Sequence, residues 1–358
     1  LPSDVKWRAF SFRSGTFRKV ENQPQNLAFK VRIDNVIHGT YFDGYPQGPS
    51  LFVPYLVMSG LPEGEKLLAF GGYYSPENPN PDGSDYTFIH DCADDELIQG
   101  WDWTQELIYS AGWIDLPIPG KTYYFKGVVR TNKAVYYSNT VTINTDGLPG
   151  YTPGPQDRVL PVVFHVMPRK DGTYPHPYFF DEMLACANRL YRNVWPLPGL
   201  ADAGIRFVPA THAPDGTALS TPGIHYLDER YELDRDISYE ELRQWVGDNL
   251  WEMTEVINVW VSPFINDDIV SEDTRTAGFT FLPYFAPEEM LQGCNTAVPG
   301  CFSGIFLNQE IVGNGYCNSG IAVFAHEAGH YLGLDHVFEE DWCDDTPQYD
   351  RARYRTEQ

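Results

Sequence analysis

Basic residues are scarce in this chain: 25 Lys and Arg stand against 49 Asp and Glu in 358 residues, a formal net charge of −24. Nucleic-acid binding needs a basic surface that displaces counterions, so that class of partner is excluded. An acidic excess of this size favours solubility and attracts basic peptides over long range. Long apolar runs are also missing. No stretch approaches the roughly 18 apolar residues of a membrane-crossing helix. Cysteine is limited to Cys92, Cys186, Cys294, Cys301, Cys317 and Cys343, and no two have the C-x-x-C spacing of a zinc or redox site. The six fit an oxidising compartment. Cys294, Cys301 and Cys317 lie close enough in sequence for one disulfide among them, its pairing open. Cys186 shares an apolar helical face with Met183 and Leu190 and is expected to be a buried thiol. No repeat or low-complexity tract occurs. Leu1 is followed by no positively charged and apolar leader, so any targeting segment is expected to have been removed.

Two patterns divide the rest. Residues 1–145 read as β. Leu27–Ile33 alternates apolar and polar residues, Leu51–Met58, Lys66–Tyr74 and Asp85–His90 are further strand candidates, and Thr122–Arg130 and Ala134–Ile143 form a hairpin. Many short strands with regular turns imply a two-sheet sandwich. Glu96–Trp113 has no clear period, and its three tryptophans, Trp101, Trp103 and Trp113, are expected in the core rather than on a ligand platform. Residues 146–157 are rich in Pro and Gly and read as a linker.

From Arg158 the pattern becomes α/β. Val159–Val166, Gly204–Pro209, Val256–Val261 and Thr276–Pro283 read as strands. Met183, Ala187, Leu190 and Val194 mark one face of a helix over Phe179–Trp195. Ser238-Tyr-Glu-Glu241 is a capping box opening a helix that runs to about Trp251. The fold class is therefore α+β and multidomain, with 158–358 as the second domain.

The chemistry concentrates in eleven residues, His326-Glu327-Ala-Gly-His330-Tyr-Leu-Gly333-Leu-Asp-His336, a pattern expected by chance on the order of 10⁻⁵ times in such a chain. On a helix, residues four apart project within about 40° of each other, so one cation can bridge His326 and His330. His336 reaches the same ion only if the helix stops first. Gly333 supplies the exit, since glycine tolerates the left-handed conformation that ends helices. Three imidazoles with one open position are a catalytic zinc site, whereas structural zinc usually takes four protein ligands. Glu327, next to the first ligand, is placed to act as base toward a water that zinc activates. Ile321, Ala325, Ala328 and Leu332 form an apolar stripe on the opposite side of the helix.

This motif resembles that of the metzincin zinc endopeptidases. HEAGHYLGLDHVF followed by Cys343-Asp-Asp-Thr-Pro347 is similar to their pappalysin, or cytophagalysin-like, branch. Val337 differs from the Asp of the adamalysin branch and the Glu of the astacin branch. The resemblance covers about residues 158–347 and implies zinc ligands His326, His330 and His336, Glu327 as general base, protein or peptide substrates, and an upper-rim edge strand at Cys301–Asn308 that an extended substrate could join. It also implies an extracellular, cell-surface or periplasmic location, with a lipoprotein as one form. The methionine turn of metzincins has no counterpart after His336, because the last methionine is Met290. Relatives in this branch can carry calcium near the active site, and Asp341, Asp344 and Asp345 offer oxygen ligands; an acidic surface loop is the alternative. In the first domain, Ile118–Tyr123 and the closing strand resemble a fibronectin type III domain, with Tyr123 as its corner tyrosine. His38, His90, His165, His176, His212 and His225 stand alone and are expected to be surface or core-satisfied. Two rival functions are an adhesion or glycan-binding protein with a vestigial metal fold, and a zinc hydrolase of non-peptide substrates.

Overall fold

Apolar–polar alternation in the first third of the chain produces two antiparallel sheets. The computed structural model describes residues 29–40, 50–115, 117–194, 201–230, 233–234, 245–247, 249–265, 277–280, 304–313, 319–334 and 336. The capping box at Ser238–Glu241, Cys294, Cys301, Cys317, Cys343, Val337 and the Asp341, Asp344 and Asp345 group lie outside these.

The first unit contains β1 (Lys30–Thr40), β2 (Ser50–Ser59), β3 (Leu67–Ser75), β4 (Tyr86–Asp91), the short helix α1 (Glu96–Gln99), β5 (Leu107–Ser110), β6 (Ile114–Asp115), β7 (Thr122–Thr131) and β8 (Val135–Asn144). One sheet has the order β1-β2-β5, with β6 also on β2, and the other β4-β3-β7-β8. The sheets face each other across an apolar core. At Gly127 of β7, a Cβ would lie 2.5 Å from Leu56 Cδ1 of the opposite sheet, so a larger residue there would force the core to shift. Trp101 and Trp103 pack against the core, and Trp113 meets Phe88 edge-on at 4.6 Å, as expected of core residues. The aperiodic stretch 96–113 holds α1 and β5, which its pattern concealed because each is only four residues long.

The second unit contains β9 (Arg158–Val166), α2 (Pro177–Tyr191), β10 (Ile205–Pro209), β11 (Ile224–Tyr226), β12 (Leu233–Asp234), β13 (Ile257–Ser262), β14 (Phe264–Ile265), β15 (Gly278–Thr280), β16 (Ile305–Asn308) and α3 (Ser319–Tyr331). Its main sheet has the order β10-β9-β13-β16-β15, with β11 also on β9; β15 is antiparallel to β16 and the other pairs are parallel. This corrects one expectation. The strand ending at Asn308 is interior and buried along its length, and among the described residues β15 is the edge strand beside it. A strand flanked on both sides reads as an unbroken apolar run, Ile-Phe-Leu, which is what β16 carries. No helix among the described residues is long and apolar enough to cross a membrane.

Helix α2 is apolar on two sides because it packs on two partners. Phe180, Leu184 and Ala187 are buried toward the sheet, where Phe180 meets Phe164 at 4.8 Å, and Tyr191 packs on Phe207. Phe179, Glu182 and Arg189 instead face the first unit. Phe179 meets Tyr86 edge-on at 4.5 Å, and the Arg189 guanidinium donates to the Pro117 carbonyl. The Glu182 carboxylate is buried between the hydroxyls of Tyr86 and Tyr123, both donating to it. Burial pushes this carboxyl above its usual range, and the two tyrosine bonds partly offset that. Tyr178 donates to Asp85, and the Thr87 N–H donates to the Gly313 carbonyl. Leu190, expected on the buried face, is 37% exposed, since that face turns toward Ala187 and Tyr191. Cys186 is a buried thiol, as expected. The stretch 146–157 is pinned to the end of α2 through Asp157, which accepts from Tyr151 and pairs with Arg192.

On the other sheet face, His165 and His225 form a pair rather than standing alone, because parallel register brings them opposite each other on β9 and β11. Asn258 accepts from the Trp251 N–H and donates to its carbonyl, which fixes Oδ1 as an acceptor toward His165 Nε2 at 2.9 Å. His165 Nδ1 is therefore bare and accepts from His225 Nδ1 at 2.9 Å. Burial holds His165 neutral, its pKa lowered to about 3.

Two outcomes follow. Tyr123→Phe should reduce unfolding free energy by about 1.5–3 kcal/mol, the value of a hydrogen bond to a charged group, in one transition seen alike by tryptophan fluorescence and circular dichroism. Two separated transitions would contradict a core shared by both units. Because the folded pKa of His165 lies below its unfolded value, the unfolded chain binds more protons between about pH 3 and 6.5. This group's share of stability is complete above that window and falls with pH inside it, by about 1.4 kcal/mol per pH unit. Nitrogen NMR of the imidazoles should find His165 unprotonated at pH 5.

Candidate metal centre

The end of α3 builds the site. Ile321, Phe324, Ala325 and Ala328 are buried, and Phe324 packs on Phe164 and Phe207 of the sheet. Leu332, expected in that stripe, is 40% exposed, because the regular helix stops at Tyr331. The stop is a complete two-bond cap. The Leu334 N–H donates to the Gly329 carbonyl at 2.9 Å and the Gly333 N–H to the His330 carbonyl at 2.9 Å, with Gly333 at φ +96°.

This turn brings His336 back to the two helical histidines. His330 Nε2 lies 3.2 Å from His326 Nε2 and 3.1 Å from His336 Nε2. A tetrahedral zinc with Zn–N bonds of about 2.0–2.1 Å has its ligand atoms about 3.3–3.4 Å apart, so the spacing fits that ion. His330 Nδ1 donates to the Leu334 carbonyl at 2.7 Å, which leaves its Nε2 lone pair for a metal. Burial first, then the two neighbouring imidazoles, lower the His326 pKa, which keeps the ring in the neutral form a metal needs. Among the described residues these three histidines are the group able to hold a metal.

The carboxylate of Glu327, next to the first of them, lies against β15. It is buried, and burial raises its pKa while a bond from Thr280 and the proximity of His330 oppose the rise. Thr280 Oγ1 donates to Glu327 Oε2 at 3.0 Å. Tyr191 of α2 donates to the Ala325 carbonyl at 3.1 Å, tying the helix against the first unit to the helix that carries the histidines. Sequence reasoning found all three histidines and Glu327 but missed Thr280, Gly278 and the Leu334 carbonyl. Only the one-face spacing of Gly278 and Thr280 on a strand was legible, and nothing along the chain relates it to Glu327.

Residues 241–357 match the family Peptidase_M43, described as Pregnancy-associated plasma protein-A, and so include the whole histidine motif. No curated protein sequence matches the chain. Among solved structures, the chain is similar to mature mirolysin of Tannerella forsythia in complex with a cleaved peptide, at 17% identity over 55% of this chain and 72% of that one, with a TM-score of 0.39. It is likewise similar to mirolysin in complex with compound 9, at 18% identity over 52% and 67%, with a TM-score of 0.38. Both likenesses are too distant to carry residue roles across.

Gly333→Val, which strains the left-handed turn by about 1–3 kcal/mol, should weaken zinc binding about tenfold, read by competition with a chromogenic chelator. Unchanged affinity would separate His336 from the site.

Proposed function

We propose that this chain is a zinc-dependent endopeptidase that acts outside the cytoplasm, with His326, His330 and His336 as ligands and Glu327 as general base. One observation carries the reading: three imidazole nitrogens converge within 4.8 Å of one another, His330 Nε2 at 3.2 and 3.1 Å from the other two, and the adjacent residue supplies a buried carboxylate. When bound, zinc supplies Lewis acidity toward a water and a substrate carbonyl. Glu327 takes the proton of the attacking water at a carboxylate oxygen and passes it to the leaving amine. Its burial suits this, because a carboxylate taken out of water is a stronger base. The match of residues 241–357 to a peptidase family supports the same reaction class.

Edge strand β15 is where an extended peptide would lie. Among the described residues it stands at one end of the sheet order, with α3 packed nearby, and a peptide added there gains sheet hydrogen bonds. That edge favours a peptide over a non-peptide substrate. Residues 1–145 we assign to a sandwich of the fibronectin type III or immunoglobulin kind. Support comes from the strand order 1-2-5 against 4-3-7-8 and from the Tyr123 hydroxyl, which accepts the Ile118 N–H at 2.8 Å as a corner tyrosine would. Residues 146–157 are then the linker and 158–358 the peptidase domain. The tryptophans packed into the sandwich argue against a glycan platform there.

Glu327→Gln keeps size and shape but removes the base. It should lower cleavage of a peptide library by at least 10²-fold while zinc content measured by atomic absorption stays at the level of the unsubstituted chain. Retained cleavage would overturn the mechanism.

A further inference from the structure

The carboxylate of Glu327 rests on β15, not in open solvent, and the two residues it rests on have complementary shapes. Gly278 and Thr280 are two apart on the strand and so share one face, toward α3, while Phe279 points the other way and stacks on Phe306 at 4.7 Å. A Cβ on Gly278 would lie 3.1 Å from Glu327 Cγ, 3.2 Å from its Oε1 and 2.8 Å from the Phe306 carbonyl, so glycine leaves the space the carboxylate occupies. Thr280 Oγ1 lies 3.0 Å from Glu327 Oε2 and 3.2 Å from the Glu327 main-chain carbonyl. Its single hydrogen goes to the stronger acceptor, the ionised carboxylate. Among the described residues Thr280 is the one hydrogen-bond donor to that carboxylate.

We propose that Thr280 is a positioning residue for the general base, holding the Glu327 carboxylate in one rotamer within a cradle that Gly278 leaves open. This inference rests on the peptidase reading above. A free glutamate side chain distributes among several rotamers, and only those aimed at the reacting water are productive. The hydroxyl selects one in advance, from the strand along which the substrate lies. Substrate binding uses the main chain of β15, which any side chain at 280 leaves in place. Loss of the hydroxyl therefore falls on kcat rather than on KM.

The test compares the full chain with Thr280→Val, which keeps the β-branched shape without the hydroxyl, and Thr280→Ser, which keeps the hydroxyl. Expected for Thr280→Val is a fall in kcat of about tenfold with KM within about twofold, and for Thr280→Ser a kcat within about threefold of the original. Zinc affinity, by chelator competition, and thermal midpoint should be unchanged in both. A peptidyl hydroxamate, whose O–H needs a positioned carboxylate acceptor, should bind the zinc-loaded Val variant about tenfold more weakly by calorimetry and the Ser variant normally. Undiminished kcat in the Val variant, a loss confined to KM or zinc affinity, or failure of Ser to restore activity would each overturn the proposal. If the unsubstituted chain cuts no peptide, the peptidase reading fails, and the hydroxamate comparison still decides whether Thr280 positions Glu327.

Discussion

A left-handed turn at one glycine decides whether this chain has a metal centre at all. Two histidines four apart on a helix face the same way whatever follows them, but two nitrogen donors make a weak site. The third donor comes from a residue that a continued helix would rotate away from the other two. Gly333 at φ +96° ends the helix with a two-bond cap, and the chain reverses within three residues. The same turn delivers the Leu334 carbonyl that fixes the tautomer of His330. Helix termination, ligand geometry and ligand protonation thus depend on a single backbone conformation that other residues adopt only under strain.

A helix end can set ligand geometry only if the helix itself is held. Phe324 locks α3 to the sheet on one side, and Tyr191 reaches from α2 to the Ala325 carbonyl on the other. Helix α2 is itself clamped between the sheet and the first unit, where the buried Glu182 carboxylate takes the hydroxyls of Tyr86 and Tyr123. A buried carboxylate without such donors would be strongly destabilising. The pairing therefore specifies how the two units meet, and it links the first unit through α2 to the histidine helix.

The site has two walls of different origin. The histidines come from eleven consecutive residues, while the surroundings of Glu327 come from an antiparallel edge strand some fifty positions earlier. That strand brings a missing side chain at Gly278 and a hydroxyl at Thr280 against the carboxylate. Among the described residues this strand also ends the sheet order, so the strand that cradles Glu327 is the one along which the proposed peptide substrate would be added.

Periodicity alone placed most strands and both long helices, because burial on one face leaves a period of 2 or 3.6 in the residues. The grouping of the three histidines next to Glu327 was legible for a related reason: a helix and its capping glycine are local, so their geometry follows from spacing. Leu190 and Leu332 were misplaced where a local period continued past the point at which the packing partner or the helix ended. The interior position of β16, the edge position of β15, the His165–His225 pair and the Glu182 cage were out of reach, since each depends on which strand lies beside which. Strand neighbours are chosen by the packing of the whole sheet, and no local pattern encodes that choice. The chain by itself therefore determined that a cation could be held by His326, His330 and His336, and tertiary structure alone decided what holds the carboxylate beside them.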